Sequence, residues 1–239
     1  MIDLSLVVPC YRDGAHLEES LREIEATLNQ TRYSYEFIII DDASPDDSAA
    51  IAERSAARRE HARLIVHQNN VGRGGTVTEG IRLAQGRWVG YLDIDLEVHA
   101  RYIPAMLRAL EEGADVAIGT RIYEIRWNLD TLFRSVLSVG YRWLVRWNLG
   151  MSYADTETGC KFFGRERILP LLSEVESQGW FWDTEIMYQC CRHQCLVREI
   201  PVLFLRRWDK PSTVKPLRDS WDYLMELRRL RHRIRNQSP

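Results

Sequence analysis

Tyr91-Leu92-Asp93-Ile94-Asp95 closes a short apolar run that opens at Trp88, and this passage from strand to paired carboxylates decides how the rest of the chain is read. Alternation along an extended chain points Asp93 and Asp95 to the same side. Leu4 to Val8, Phe37 to Ile40, Arg63 to Val66 and Val116 to Ile118 have the same character, short, nearly all apolar and rich in Val and Ile. Such runs predict strands buried on both faces. Between them lie helical patterns: Leu17, Leu21, Ile24 and Leu28 at helical spacing, then Ser48 to Ala57, Thr76 to Ala84 and Ile103 to Leu110. Strand and helix alternate, which implies right-handed βαβ units and a mostly parallel sheet. In such sheets ligands gather beyond the carboxyl ends of the strands, and here those ends are acidic.

The chain has 239 residues, 45% of them hydrophobic and 28% charged, enough to bury one sizeable core as a single α/β domain. Past residue 120 the pattern changes to an arginine- and tryptophan-rich helix from about Leu132 to Leu149, a turn-rich acidic stretch, and a strand-like run at Leu196 to Leu205. No linker or repeat separates the halves, so the second is expected to be a layer packed on the first. A formal net charge of −2 gives no global attraction to nucleic acid, and any electrostatic partner must meet a local patch. The five cysteines, Cys10, Cys160, Cys190, Cys191 and Cys195, show no paired CxxC spacing and read as reduced thiols of a cytosolic protein. No basic leader precedes the first strand. Nowhere do about 18 apolar residues run without charge, so no membrane-spanning helix is expected.

Two acidic strand ends carry the chemistry. Ile40-Asp41-Asp42-Ala43-Ser44 admits two readings: acceptors for a base N–H or a ribose hydroxyl, or an N-cap for the next helix. At Asp93 and Asp95, like charges on one face repel unless something positive sits between them. A hard divalent cation that also takes phosphate oxygens, Mg²⁺ or Mn²⁺, resolves the repulsion; the alternative is a solvated loop. Gly72-Arg73-Gly74-Gly75-Thr76 opens the helix before that strand, its glycines permitting close backbone approach and Arg73 offering a cation to phosphate. A dinucleotide-binding fold would place its glycines directly after the first strand, where Pro9-Cys10-Tyr11-Arg12-Asp13 stands instead.

Val8-Pro9-Cys10-Tyr11-Arg12-Asp13, Ile40-Asp41-Asp42-Ala43-Ser44-Pro45-Asp46-Asp47, Asn70-Val71-Gly72-Arg73-Gly74-Gly75 and Asp93-Ile94-Asp95-Leu96 resemble, in order, the motifs of family 2 inverting glycosyltransferases of the GT-A fold. Within that family the chain is similar to dolichyl-phosphate mannose synthases, dolichyl-phosphate glucosyltransferases and their bacterial polyprenyl-phosphate relatives. The resemblance covers nearly the whole chain. It implies that Pro9, Tyr11, Asp13, Ile40 and Asp42 surround the nucleobase and ribose, that Asp93 and Ile94 meet the nucleotide sugar, and that Asp95, with Glu97 beside it, ligates the metal. The family usually has Asn-Glu at Arg12-Asp13 and Ala at Ile94.

The second half extends the likeness. Gly119-Thr120-Arg121 resembles the family's arginine motif, and Arg134 and Ser138 match positions that bind an acceptor phosphate. Asp155-Thr156-Glu157-Thr158-Gly159-Cys160-Lys161 resembles D-T-x-x-G-F-K, and Gly179-Trp180-Phe181-Trp182-Asp183-Thr184-Glu185 a later aromatic-acidic motif. Asp183 and Glu185 are read either as shaping the sugar pocket or acceptor site or as caps of the next helix. Arg207 and Ser212 keep the spacing of a loop that closes over the diphosphate, with Lys210 or Lys215 supplying a further cation. Implied together are Asp93, Asp95, Arg121 and Arg134 as catalytic residues, a GDP- or UDP-linked hexose as donor and a polyprenyl phosphate as acceptor. The resemblance leaves room for self-association or a separate membrane subunit, and the setting implied is peripheral, at the cytoplasmic membrane face.

The segment from Leu132 to Trp147 groups Leu132, Val136, Val139, Trp143 and Trp147 on one helical face. Packing on the protein's own core and lying at a membrane interface are both open for it. The basic end, 221–239, set apart from a catalytic domain at 1–220, has Tyr223, Leu227, Leu230 and Ile234 at helical spacing beside five arginines; it docks on anionic lipid or is a solvated helix. The six histidines are scattered without ligand spacing and receive no role. The rival readings are the same fold with a soluble acceptor, a nucleotidyltransferase, and a nucleotide-binding protein without turnover.

Overall fold

The structure is a computed structural model and describes residues 2–123, 149–206 and 216–237. The described residues form a seven-stranded sheet from β1 (Leu4–Cys10), β2 (Tyr35–Asp41), β3 (Ala62–Val66), β4 (Trp88–Leu92), β5 (Val116–Tyr123), β6 (Cys160–Gly164) and β7 (Val197–Phe204), in the order β3-β2-β1-β4-β6-β5-β7. β1 pairs in parallel with β2 on one side and β4 on the other. The chain therefore changes direction across the sheet between β1 and β4, the kind of place where α/β sheets open a crevice for ligands.

The alternation of side chains along each strand builds two cores. Leu4, Leu6 and Val8 of β1, Phe37 and Ile39 of β2 and Leu92 of β4 pack with Leu17, Leu21, Ile24 and Leu28 of α1 (Gly14–Leu28), Ala52 and Ala56 of α2 (Ser48–Ala57), and Ile103, Met106 and Leu107 of α4 (Ile103–Glu111). Val7, Ile38, Ile40, Val89 and Tyr91 point to the opposite face and meet Val77 and Ile81 of α3 (Arg73–Leu83), Trp182 and Ile186 of α5 (Trp182–Arg192), and Leu227 and Leu230 of α6 (Pro216–Gln237). At roughly 1.5–3 kcal/mol per buried large apolar side chain, these layers supply the main driving force for the fold.

The five strand expectations and the mostly parallel sheet are found. β3 departs from the expected double burial: it is an edge strand, its residues only partly covered and Val66 exposed. The second half is more than a layer. β6 inserts between β4 and β5, antiparallel to both, and β7 extends the sheet beyond β5. Cys160-Lys161-Phe162-Phe163-Gly164 is legible only as part of a motif, because five residues after an acidic turn carry too little periodicity to be separated from a loop. One helix, α6, runs across position 221 and is seated in the second core. The helix expected over Leu132 to Trp147 lies outside the described residues. No helix of the described residues is long and apolar enough to cross a membrane.

Candidate functional site

All the described sequence-predicted residues gather at one edge of the sheet, at the carboxyl ends of the parallel strands. β6 runs the other way, so its beginning, Gly159 to Lys161, arrives at the same edge; Leu92 lies opposite Cys160, and Asp93 N donates to Gly159 O at 3.0 Å. Three turns at this edge place a non-glycine residue in the left-handed region: Arg12 (φ 59°) after β1, Ala43 (φ 56°) after β2 and Leu96 (φ 51°) after β4. Such conformations persist where surrounding structure holds them and gather at functional sites. Ser44 Oγ accepts the Arg12 N–H at 3.0 Å and Leu96 N donates to Asp93 O at 3.1 Å.

At the β2 end, Asp41 and Asp42 are not caps of α2. Asp41 Oδ2 takes the Ser44 N–H at 2.9 Å, and Asp42 reaches across to the segment before α3: its Oδ1 accepts Val71 N at 2.8 Å and its Oδ2 accepts Gly72 N at 2.9 Å. His67 Nδ1 meets the same Oδ1 at 2.7 Å and His67 Nε2 meets Glu79 at 3.0 Å, so a histidine without ligand spacing in the sequence is a strut of the site. Burial works against the His67 charge, but the hydrogen bonds to Asp42 and Glu79 outweigh it and its pKa is raised. A histidine raised in the folded state stabilises fully below its unfolded value, about 6.5, and that contribution is lost as pH rises through the folded value. Urea midpoints of wild type and His67→Gln are therefore expected to differ most near pH 5.5 and to converge toward pH 9; a constant difference would show that the His67 charge contributes nothing.

Pro9 and Ile40 are buried within β1 and β2, and Ile94 is buried in the first core, so these residues shape the edge from beneath. Tyr11 is exposed, and Asp13, half-buried, opens α1 through its carbonyl, which accepts His16 N and Leu17 N at 3.1 Å each.

Beneath Asp93 lies a buried network of charges. Arg73 Nε donates to Asp93 Oδ1 at 2.9 Å and Arg73 Nη1 to Asp183 Oδ2 at 2.5 Å. Lys161, fully buried, reaches Asp183 Oδ1 and Thr158 O at 2.5 Å each, and Tyr91 Oη donates to the same Asp183 oxygen. The Arg73 guanidinium carbon stands 5.3 Å from the Tyr91 ring centre and 5.1 Å from that of Trp180. Two cations thus face two acids. Burial lowers the Lys161 pKa while Asp183 opposes it; burial raises Asp93 to about 6, with Arg73 opposing and the charges of Asp95 and Asp183 adding. Asp183, read as a cap or as part of the sugar pocket, is the hub of this network, and Arg73, expected to face phosphate, is turned to the two acids. The D-T-x-x-G-F-K resemblance assigns Lys161 no role; a lysine two residues after a glycine and one before an apolar pair is the signal the sequence offers for it.

The room for this arrangement comes from Gly159. A Cβ built there would land on Asp93 Oδ2 and come within 3.0 Å of Arg73 Nη2. Arg121 is held apart from Asp93: Nε and Nη2 make a two-point pair with Asp155 at 2.6 and 2.9 Å, and Nη2 meets Glu157 at 3.3 Å. Beyond Asp93 the chain turns so that Glu97 N meets Asp95 Oδ1 at 3.3 Å, while Glu97 O accepts Leu205 N at 2.8 Å from the end of β7. Arg134, Ser138 and Arg207 lie outside the described residues.

The donor set suits a hard divalent ion. Asp95 and Glu97 offer carboxylate oxygens at a partly open edge, whereas no group of three or more His, Cys, Asp or Glu side chains among the described residues would hold a metal without help. A cation there would need further oxygens from its substrate, as Mg²⁺ and Mn²⁺ in phosphate sites commonly take them.

A parallel α/β sheet with acids at the β2 and β4 ends and an antiparallel strand threaded between β4 and β5 is the architecture of the GT-A glycosyltransferases. The family model for glycosyl transferase family 2 matches residues 5–162, and the chain belongs to that family. It is 31% identical over 204 residues to the glycosyltransferase AglD of Haloferax volcanii, covering 84% of this chain but only 33% of that protein. It is 28% identical over 242 residues to a dolichyl-phosphate beta-glucosyltransferase of Drosophila melanogaster, covering 93% of this chain and 72% of that one. Among solved structures, glucosyl-3-phosphoglycerate synthase of Mycobacterium tuberculosis in complex with Mn²⁺, UDP and glucosyl-3-phosphoglycerate superposes with a TM-score of 0.63 at 17% identity, over 92% of this chain and 75% of that chain. A likeness at that identity speaks to the fold.

Proposed function

We propose that this glycosyltransferase moves a hexose from a GDP- or UDP-linked donor to a polyprenyl phosphate, with inversion at the anomeric carbon, at the cytoplasmic face of a membrane. The observation that carries the reading is the β4 end, where Asp93 is fixed by Arg73 and Gly159 and Asp95 follows at the open edge. Asp95 and Glu97 would hold Mg²⁺ or Mn²⁺ against the donor diphosphate. When bound there, the cation neutralises the charge that builds on the departing nucleoside diphosphate. Asp42 keeps the loop at Val71 and Gly72 beside the nucleoside end, with Tyr11 and Asp13 lining its other side. Arg134 and Ser138 would receive the acceptor phosphate, Arg121 would serve the nucleotide sugar and Arg207 would close over the diphosphate. A phosphate monoester is already nucleophilic near neutral pH, so orientation and charge neutralisation supply most of the catalysis.

The lipid acceptor is supported by relatives named for dolichyl phosphate, in Drosophila melanogaster and Saccharomyces cerevisiae, and for undecaprenyl phosphate, in Pseudomonas syringae. It is also supported by α6, whose outer face exposes Trp221, Arg228 and Arg235 at seven-residue intervals while Leu227 and Leu230 are buried beneath. An amphipathic helix with Trp and Arg outward suits an anionic lipid surface, each cation contributing about 1 kcal/mol near it. The test is mass spectrometry of reactions containing several nucleotide sugars, Mn²⁺ or Mg²⁺, and either a polyprenyl phosphate or soluble phosphate acceptors. A glycosylated lipid phosphate is expected; sugar transferred only to a soluble acceptor would overturn the lipid assignment, and no transfer to any acceptor would overturn the catalytic one.

A further inference from the structure

α6 touches the loop at 176–181 at two places. Tyr223 Oη donates to Trp180 O at 2.9 Å, its ring edge-on to Phe181 with centres 5.5 Å apart. Nearly three turns later Arg233 reaches Glu176 Oε1 at 2.7 Å and pairs with Glu185 Oε1. Glu185 is fully buried, and its other oxygen accepts the Ser177 N–H at 2.8 Å. Between these points a cleft of about 510 Å³ separates helix from loop. The helix thus props the loop near both of its ends, on either side of the cleft.

The far side of the same loop faces the donor site. Gln178 O accepts the Gly75 N–H at 3.0 Å, and a Cβ on Gly72, whose φ is 88°, would stand 2.5 Å from that oxygen. The Trp180 ring covers the Arg73 guanidinium that binds Asp93. Trp180 is 44% exposed, so its own burial does little to fix it. Its loop is tied instead at Gln178 to Gly75, at Ser177 to Glu185, and from α6 by Tyr223 at the Trp180 carbonyl and Arg233 at Glu176 and Glu185.

We propose that α6 is a positioning element for donor binding, with Tyr223 and Arg233 acting through Trp180 and Glu185 to set Arg73, and through Arg73 the Asp93 carboxylate. The inference rests on the donor-site reading above. It assigns the C-terminal helix a task separate from any contact with lipid.

Tyr223→Phe, Arg233→Lys and Arg233→Ala distinguish positioning from bulk stability. Donor KM is expected to rise about tenfold in Tyr223→Phe and Arg233→Ala, with kcat within about twofold and partial recovery in Arg233→Lys. Arg233→Ala strands a buried carboxylate and can unfold the chain; Glu185→Gln with Arg233→Gln leaves no stranded charge and then replaces it, with the same rise expected. Wild-type donor KM in Tyr223→Phe and in the folded Arg233 variant would overturn the proposal, as would a fall in kcat alone. Hydrogen exchange at the Gly75 amide gives a readout that needs no turnover. It should quicken about tenfold in Tyr223→Phe even if the wild type transfers no sugar, an outcome that would defeat the transferase reading alone; an unchanged rate would defeat the positioning proposal.

Discussion

Asp95→Ala is expected to lower metal-dependent sugar transfer by about a thousandfold while the protein keeps its fold. Neutralising the leaving diphosphate with a bound cation is worth several kcal/mol, and about 4 kcal/mol corresponds to three orders of magnitude in rate. The structural cost of the substitution is small. Asp95 is only half-buried and lies outside both hydrophobic cores. The check is turnover across a titration of Mn²⁺ and Mg²⁺, with the melting temperature measured in parallel. Wild-type turnover in the variant would remove the metal assignment, and a large drop in melting temperature would mean that Asp95 serves the fold.

Gly159→Ala should also cost much of the activity, about a hundredfold, although the residue has no functional group. Its Cβ would occupy the place of Asp93 Oδ2, and the neighbours cannot easily give way. Asp93 is bound to Arg73, which is bound to Asp183, which is bound to Lys161, and the Asp93 backbone is tied to Gly159 itself. A displacement of about 1 Å at a reacting centre can cost about a hundredfold in rate. Loss of about that size is expected, with tight donor binding lost as well. If Gly159→Ala retained wild-type kcat/KM, the Asp93 position would not matter to catalysis.

Much of this was legible because buried parallel strands write themselves as apolar runs and place the residues that follow them at one edge. The ends of β1, β2 and β4 were readable for that reason, and the order of their motifs pointed to the family. What eluded the sequence was the use of each charge. Asp42 reads equally as a cap or a ligand contact, and only three-dimensional proximity reveals Val71, Gly72 and His67 around it. Arg73 follows a glycine at a helix start, which suggests phosphate; its acids, Asp93 and Asp183, lie 20 and 110 residues away. Arg12 is a local case with a physical explanation. Its left-handed backbone is a conformation in which asparagine is several-fold enriched, in keeping with the residue usual there in the family.

The antiparallel insertion of β6 also governs when the site can come into being. Phe162 ends the stretch matched by the family model, yet the acid that balances both Arg73 and Lys161 is Asp183. Contacts this distant form late, after the chain closure they require. During synthesis from the amino terminus, the acids at the ends of β2 and β4, and Arg73 with them, emerge well before Asp183. Until Asp183 follows, Lys161 lacks the carboxylate it bonds in its burial between β4 and β5, and the charge network beneath Asp93 is among the last parts of the molecule to be completed.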